Sequence, residues 1–306
     1  MLSSVGRTWG QDMATGTQFQ NRPGIGEDTA LGVALALRDQ DVPAMVAEAV
    51  AARRLRLAYQ PVVVAGDPSR TGFYEGLVRV LDPTGRVIPA RDFVAAVEER
   101  DTGREIDCVA LAIGLESLAR DPNLRLSVNL SARSMGYPRW MRVLRRGLAG
   151  REHLGQRLIF EIAEASAMQM PEVVAAFMAE MRRHGISFAL DGFGGGMCAL
   201  RFLRELTFDI IKIDAQFTRG IEKTPDNQVL MAALMAVGRQ FDMVTIAQGV
   251  ETEAEAAWLR ALGLDCLQGY HFGAPSLSPP GLQSDQRAGR GKSPLSPSRL
   301  RPGTRK

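Results

Sequence analysis

Residues 158–164 read LIFEIAE, 186–193 ISFALDGF, 210–214 IIKID and 243–250 MVTIAQGV: four short apolar runs, each with a polar or charged residue at or near its end. Working outward, the same form recurs on both sides. LRLAYQPVVV at 55–64, FYEGLVRV at 73–80 and LRLSVNLS at 124–131 come before, and CLQGYHF at 266–272 comes after. At or near the ends of the eight runs stand Gln60, Glu75, Asn129, Glu161, Asp191, Lys212, Glu251 and Gln268. Helical spacing follows nearly every run and predicts helices over 90–100, 104–119, 138–149, 171–184, 196–206, 225–239 and 253–262. Pro171 and Pro225 suit first turns, and Gly185 and Gly263 suit helix ends. Strands alternating with helices of this length predict an α/β fold on a parallel sheet. Closed into a barrel, that sheet brings the run ends to one rim, where barrel enzymes keep their chemistry. An open doubly wound sheet is the alternative. It usually carries a Gly-rich phosphate loop after its first strand, and VVVAGDPSRTG at 62–72 lacks that spacing.

Bulk properties narrow the class. A hydrophobic share of 45% with 23% charged residues is that of a soluble globular protein with a large core. Cys108, Cys198 and Cys266 are far apart and show no CxxC or Cys/His spacing, which argues against a disulfide framework or a zinc site and fits a reducing cytoplasm. The early apolar stretch LGVALAL stops at Arg38 and Asp39, so no membrane span is expected. The first 25 residues lack a secretory pattern. Residues 1–27 read as a flexible leader, 28–54 as helix in two pieces broken near Pro43, and 28–275 as one barrel domain including that helix. Residues 276–306 hold seven Lys or Arg against one Asp, a balance of +6 in a chain of net +3, so the remainder carries −3. Rich in Ser, Pro and Gly, this tail is expected to be disordered and solvated, and nucleic acid is not expected as a partner.

The rim residues are unusual for their positions. Glu75 sits in an apolar strand, with Leu77 and Arg79 on the same face; an ion pair between strand neighbours is the plainer reading. Asn129 ends a strand, where Asn commonly turns the chain. Glu161 and Glu164 fall within or beside one strand, where acids are depleted. Asp191 ends another, where an Asp often caps the next helix. Lys212 lies in an apolar run and needs a partner or a task; Asp214 is its nearest acid in sequence. The GFGGG run at 192–196 reads as a mobile loop over the rim. Carboxylates, amides and a lysine on one rim suit divalent ions and phosphate better than a packed core.

Taken in order, YQPVV, EGLVR, SVNLS, FEIAE, ALDGFGGG, IIKID, AQGVE and LQGYHF resemble the EAL domain family over about residues 45–275. The resemblance implies a TIM-like (β/α)8 barrel variant with one antiparallel strand, the first here, and binding or hydrolysis of cyclic di-GMP to pGpG with two Mg²⁺ or Mn²⁺ ions. By position, Glu75, Asn129, Glu161 and Asp191 resemble the ligands of the first ion, and Lys212 the lysine near the attacking water. Glu251 and Gln268 resemble the remaining polar residues near the ions. Gln60, Leu77, Arg79 and Asp214 resemble the ligand groove, and Glu164 the anchor of the loop after the fifth strand.

Two positions depart from the family pattern. Its DDFG reads DGFG, leaving Gly192 for an aspartate, and its AEGVE reads AQGVE, leaving Gln248 for a glutamate. Cys198 and Ala199 stand where a pair of serines is common, and Gly76 replaces the signature alanine. The first ion site is therefore expected intact and the second impaired, since Gly offers no ligand and Gln no charge. Three functions stay open: a degenerate cyclic di-GMP receptor reporting to a protein partner, a weak phosphodiesterase, and an interaction module without nucleotide. A homodimer is open as well.

Overall fold

The computed structural model describes residues 42–196 and 200–278. The predicted leader, residues 28–41 of the first predicted helix, Cys198, Ala199 and the tail from 279 lie outside the described residues. The described residues from Pro43 onward belong to one unit. Helix α1 covers 42–51. Strands β1 (Leu55–Val64) and β2 (Asp67–Leu81) form a long antiparallel hairpin, and β3 (Val87–Pro89) adds to its far edge. There follow α2 (Val94–Val97), α3 (Asp101–Arg120), β4 (Leu126–Asn129), α4 (Pro138–Leu148), β5 (Leu158–Ala163), α5 (Glu164–Gln169) and α6 (Pro171–Arg182). The unit continues through β6 (Ser187–Phe193), β7 (Ile210–Ile213), α7 (Pro225–Gln240), β8 (Val244–Ala247), α8 (Glu253–Leu262) and β9 (Cys266–Gln268).

The sheet closes. Its order is β1-β9-β8-β7-β6-β5-β4-β2-β3, and a further β1–β2 pairing completes the ring, with β3 as an appendage. Pairs from β2–β4 through β8–β9 are parallel, whereas β1 is antiparallel to both its neighbours. Closure rules out the open sheet, and β1 is the reversed strand.

The interior follows from the two-residue period of strands. Val62, Phe73, Ile159, Ala189, Ile210, Ile246 and Cys266 form one buried cluster inside the barrel, and the fully buried Ser127 comes from β4. Two residues further along each parallel strand the inward position is polar: Glu75, Asn129, Glu161, Asp191, Lys212, Gln248 and Gln268. In β1 the polar residue, Gln60, comes two residues before Val62 instead, as a reversed strand requires. A dry apolar layer thus forms the floor under a polar layer at the rim.

The opposite strand faces bury against helices. Trp140 of α4 packs on Phe160 (5.2 Å between ring centroids) and on Phe177 of α6 (5.5 Å), and Phe160 packs on Phe188 (6.0 Å). Gly238 lets α7 approach the sheet: a β-carbon there would lie 2.8 Å from Thr245 and 2.9 Å from Ile211. Helix ends fall close to the Pro and Gly signals, with Pro171 and Pro225 in first turns and Gly263 in the left-handed conformation after α8.

Two local expectations are corrected. The helix predicted over 90–100 is a 3-10 turn at Ala90–Asp92 and a short α2, separated at Phe93, whose φ of −142° is not helical and whose side chain is buried. In place of a helix over 196–206, the described part is a 3-10 turn at Leu200–Arg204. Glu164 lies directly beside β5, as expected, and opens α5.

Candidate functional site

Lys212 organises the rim layer. It is fully buried at the end of β7, and its Nζ donates to Glu161 Oε2 at 2.6 Å and to Glu75 Oε2 at 2.8 Å. Asp191 Oδ1 lies 3.5 Å away. Its partners therefore come from three other strands. Asp214 is not among them: its Oδ1 accepts from Gln216 N–H at 2.8 Å and caps the turn Ala215–Phe217. Asp191 in turn faces the barrel and does not act as a cap.

Amides surround the acids. Glu75 accepts from Gln268 Nε2 at 2.6 Å and from Asn129 Nδ2 at 3.1 Å. Gln268 also donates to Gln60 Oε1 at 3.3 Å, and Gln60 donates to the Gly273 carbonyl at 3.2 Å. Gln248 Nε2 donates to Asp191 Oδ1 at 2.8 Å. Eight sequence-predicted positions, Gln60, Glu75, Asn129, Glu161, Asp191, Lys212, Gln248 and Gln268, thus meet in one network.

Three acids and one ammonium in a buried space cannot all titrate normally. Burial pushes Glu75 up, but the Lys212 charge and the hydrogen bonds from Lys212, Gln268 and Asn129 outweigh it and hold its carboxyl below the usual range. Glu161 has fewer donors; burial and then the Glu75 charge push it up to about 8, against the pull of Lys212. Asp191 is raised, first by burial, with Lys212 opposing. Lys212 loses to burial and gains more from Glu161, Glu75 and Asp191, so it stays cationic.

The donor set can be compared with what a divalent ion needs. Glu161 Oε1 and Gln268 Oε1 are buried acceptors without a partner among the described residues. Together with Glu75, Asp191 and the Asn129 carbonyl they make an all-oxygen set that suits Mg²⁺ or Mn²⁺. No group of three or more His, Cys, Asp or Glu among the described residues is arranged to hold an ion as it stands; the ammonium of Lys212 lies between the three carboxylates. One ion fits this set once Lys212 yields its contacts. A neighbouring second ion does not fit. Gln248 presents an N–H to Asp191 instead of a charge, and Gly192 presents nothing. A β-carbon at Gly192 would have only Asp214 Oδ2 nearby, at 3.8 Å, and its φ of +71° disfavours most side chains.

The remaining predicted residues stand apart from the network. Arg79 is half-buried on β2, with one guanidinium nitrogen donating to the Val78 carbonyl at 2.9 Å. Leu77, two residues before it, pairs with Ala58 of β1. Glu251 is exposed, 3.9 Å from Arg219. Glu164 is buried, and its Oε2 accepts from Gly194 N–H at 3.2 Å, tying α5 to the glycine run after β6. Sequence reasoning missed Tyr270, an exposed aromatic two residues after Gln268 that lies near Arg91; its only signal was an aromatic close to a rim residue. It also missed Asp107, an acid within the apolar pattern of α3.

Comparison with known proteins places this geometry. The EAL domain model matches residues 44–275. The chain is 30% identical over 234 residues to cyclic di-GMP phosphodiesterase PdeB of Shewanella oneidensis, covering 75% of this chain and 27% of that protein. It is 28% identical over 235 residues to the bifunctional diguanylate cyclase/cyclic di-GMP phosphodiesterase MucR of Pseudomonas aeruginosa, covering 74% and 34%. The chain thus spans about a third or less of these relatives. Among solved structures, the FimX EAL domain of Pseudomonas aeruginosa bound to c-di-GMP superposes with a TM-score of 0.71 at 27% identity, covering 78% of this chain and 97% of that one. The MucR phosphodiesterase in its c-di-GMP complex gives 0.70 at 26%, covering 77% and 97%. With a family match over most of its length, a closed barrel with a reversed first strand, and the acid–amide–lysine rim in family order, the chain belongs to the EAL domain family.

Proposed function

We propose that this chain is a cyclic di-GMP receptor with lost or very slow hydrolysis. The observation that carries the reading is the Gln248–Asp191 hydrogen bond, an amide donor where the family pattern has a carboxylate. Its neighbour Gly192 removes a second acid. A pair of ions held ~3.5–4 Å apart needs carboxylates to offset their repulsion, and this pocket supplies them for one ion. Glu75, Asn129, Glu161 and Asp191 would hold that ion, which when bound supplies charge to a phosphodiester oxygen. Lys212, cationic beside these acids, would yield its contacts to the ion and serve as a positive charge facing phosphate. Arg79, Gln60 and Asp214 are offered as groove contacts, with Arg79 suited to a phosphate oxygen. Glu251 and Gln268 would flank the phosphodiester, with Gln268 holding Glu75 in place. Glu164 would fix the loop after β6.

None of the groove contacts depends on a second ion, so binding can outlast turnover. Bound nucleotide would change how the rim loops present themselves to a protein partner. The test is incubation of the chain with cyclic di-GMP and Mg²⁺ or Mn²⁺, followed by chromatography. Ligand that is retained and recovered intact is expected. Rapid appearance of pGpG would replace this reading with that of a working phosphodiesterase.

A further inference from the structure

Asp107 lies on α3, outside the network at the barrel mouth, yet it takes two donors from the loop that leaves β4. Its Oδ2 accepts from Ser134 Oγ at 2.6 Å and from Ser131 N–H at 3.2 Å. The same loop is held from its other side: Ala132 N–H donates to Ser166 Oγ on α5 at 3.0 Å, and Leu130 N–H to the Glu161 carbonyl at 2.8 Å. Ser131 closes the turn within the loop by accepting from Arg133 N–H at 3.3 Å. The N–H groups of Leu130, Ser131 and Ala132 and the Ser134 hydroxyl are thereby fixed by β5, α3 and α5. The loop begins at the residue after Asn129, whose side chain is tied down by one hydrogen bond, to Glu75 at 3.1 Å. Asn129 ends a four-residue strand with its side chain exposed, and the loop held by Asp107 starts at the next residue.

We propose that Asp107 is a positioning residue: through Ser131 and Ser134 it sets the loop after β4 and so aims the Asn129 carboxamide into the ion and nucleotide site. The inference rests on the receptor reading only in taking Asn129 as a contact of that site. Groups that orient metal ligands from behind commonly change ion affinity by ~10–100-fold when lost. Asp107→Ala frees the loop at two points, whereas Asp107→Asn keeps an acceptor oxygen for both donors.

The experiment is titration of the full chain with Mn²⁺ alone, by calorimetry and electron paramagnetic resonance, well below the melting temperature. Asp107→Ala should weaken Mn²⁺ by about tenfold, and Asp107→Asn should stay within about threefold of wild type. In nitrogen-15 spectra the Asn129 side-chain amide should shift and broaden in the Ala variant and recover in the Asn variant. If Asp107→Ala does not fold, Ser134→Ala removes one of the two donors and should weaken Mn²⁺ by about threefold. Wild-type Mn²⁺ affinity and an unmoved Asn129 resonance in the folded Ala variant, or in Ser134→Ala in its stead, would overturn the proposal. Wild type that takes up Mn²⁺ but not cyclic di-GMP would overturn the receptor reading alone. Wild type that binds neither would overturn both.

Discussion

Gln248→Glu exposes the account to its sharpest thermodynamic test. Gln248 Nε2 now donates to Asp191 Oδ1 at 2.8 Å, and the substitution puts an acceptor where the donor was. Two unit negative charges at that distance repel by about 6 kcal/mol at an effective dielectric of ~20. Asp191 retains some solvent, and Lys212 Nζ lies 3.5 Å from the same oxygen. These reduce the net loss, including the charge-assisted hydrogen bond, to about 2–3 kcal/mol. At ~2–4 °C per kcal/mol for a domain of this size, the variant should melt about 5–10 °C below wild type in EDTA at mildly alkaline pH. Excess Mn²⁺ should close most of that gap, because a cation between the two carboxylates converts repulsion into ligation. Thermal or urea unfolding of both proteins in EDTA and in Mn²⁺ measures it. Equal stability in EDTA, or a loss that Mn²⁺ leaves untouched, would refute the claim that the amide stands where a carboxylate would hold an ion.

Gly192→Asp combined with Gln248→Glu should raise pGpG formation well above wild type, and by more than the product of the single changes, since both rebuild one site. Asp at a φ of +71° costs roughly 1–2 kcal/mol, a penalty visible in the melting temperature but too small to unfold the barrel. Arg79→Ala should weaken cyclic di-GMP by about 1.5–3 kcal/mol in a calorimetric titration; unchanged affinity would remove Arg79 from the groove. Lys212→Met should destabilise the chain by about 3–5 kcal/mol in denaturant unfolding, because it leaves buried carboxylates without their counter-charge. Burial pushes the Asp107 carboxyl up to about 7. A carboxyl raised above its unfolded value binds its proton more tightly in the native state, so its contribution is complete below about pH 4 and is lost as pH rises through about 7. Denaturant midpoints across that window should show the decline in wild type and a flatter profile in Asp107→Asn.

The barrel was legible because its strands repeat one pattern, an apolar run that ends in a polar group. The reversal of β1 came from the family resemblance, and only the fold's inward layer shows its mark in the pattern: Gln60 precedes Val62 by two residues, whereas Glu161 follows Ile159 by two. What the sequence could not supply was pairing across distance. Lys212 finds Glu75 and Glu161 at separations of 137 and 51 residues, so Asp214, two residues away, was the only partner a local reading could offer. Short elements escaped for a related reason. The six-residue α5 is too brief to show a helical period, so no helix was predicted there. The break at Phe93 reflects tertiary burial of one ring, which overrides the helical propensity around it. The departure of two acids from the family pattern was visible in Gly192 and Gln248, but the hydrogen bond that Gln248 makes to Asp191 emerged only from the fold.

The receptor claim is tested most directly by equilibrium dialysis of the full chain against labelled cyclic di-GMP in Mn²⁺, with the bound fraction then analysed chemically. The account predicts saturable binding with the label still in the cyclic dinucleotide. Label recovered as pGpG within minutes, or no retention of label at any concentration, would contradict it.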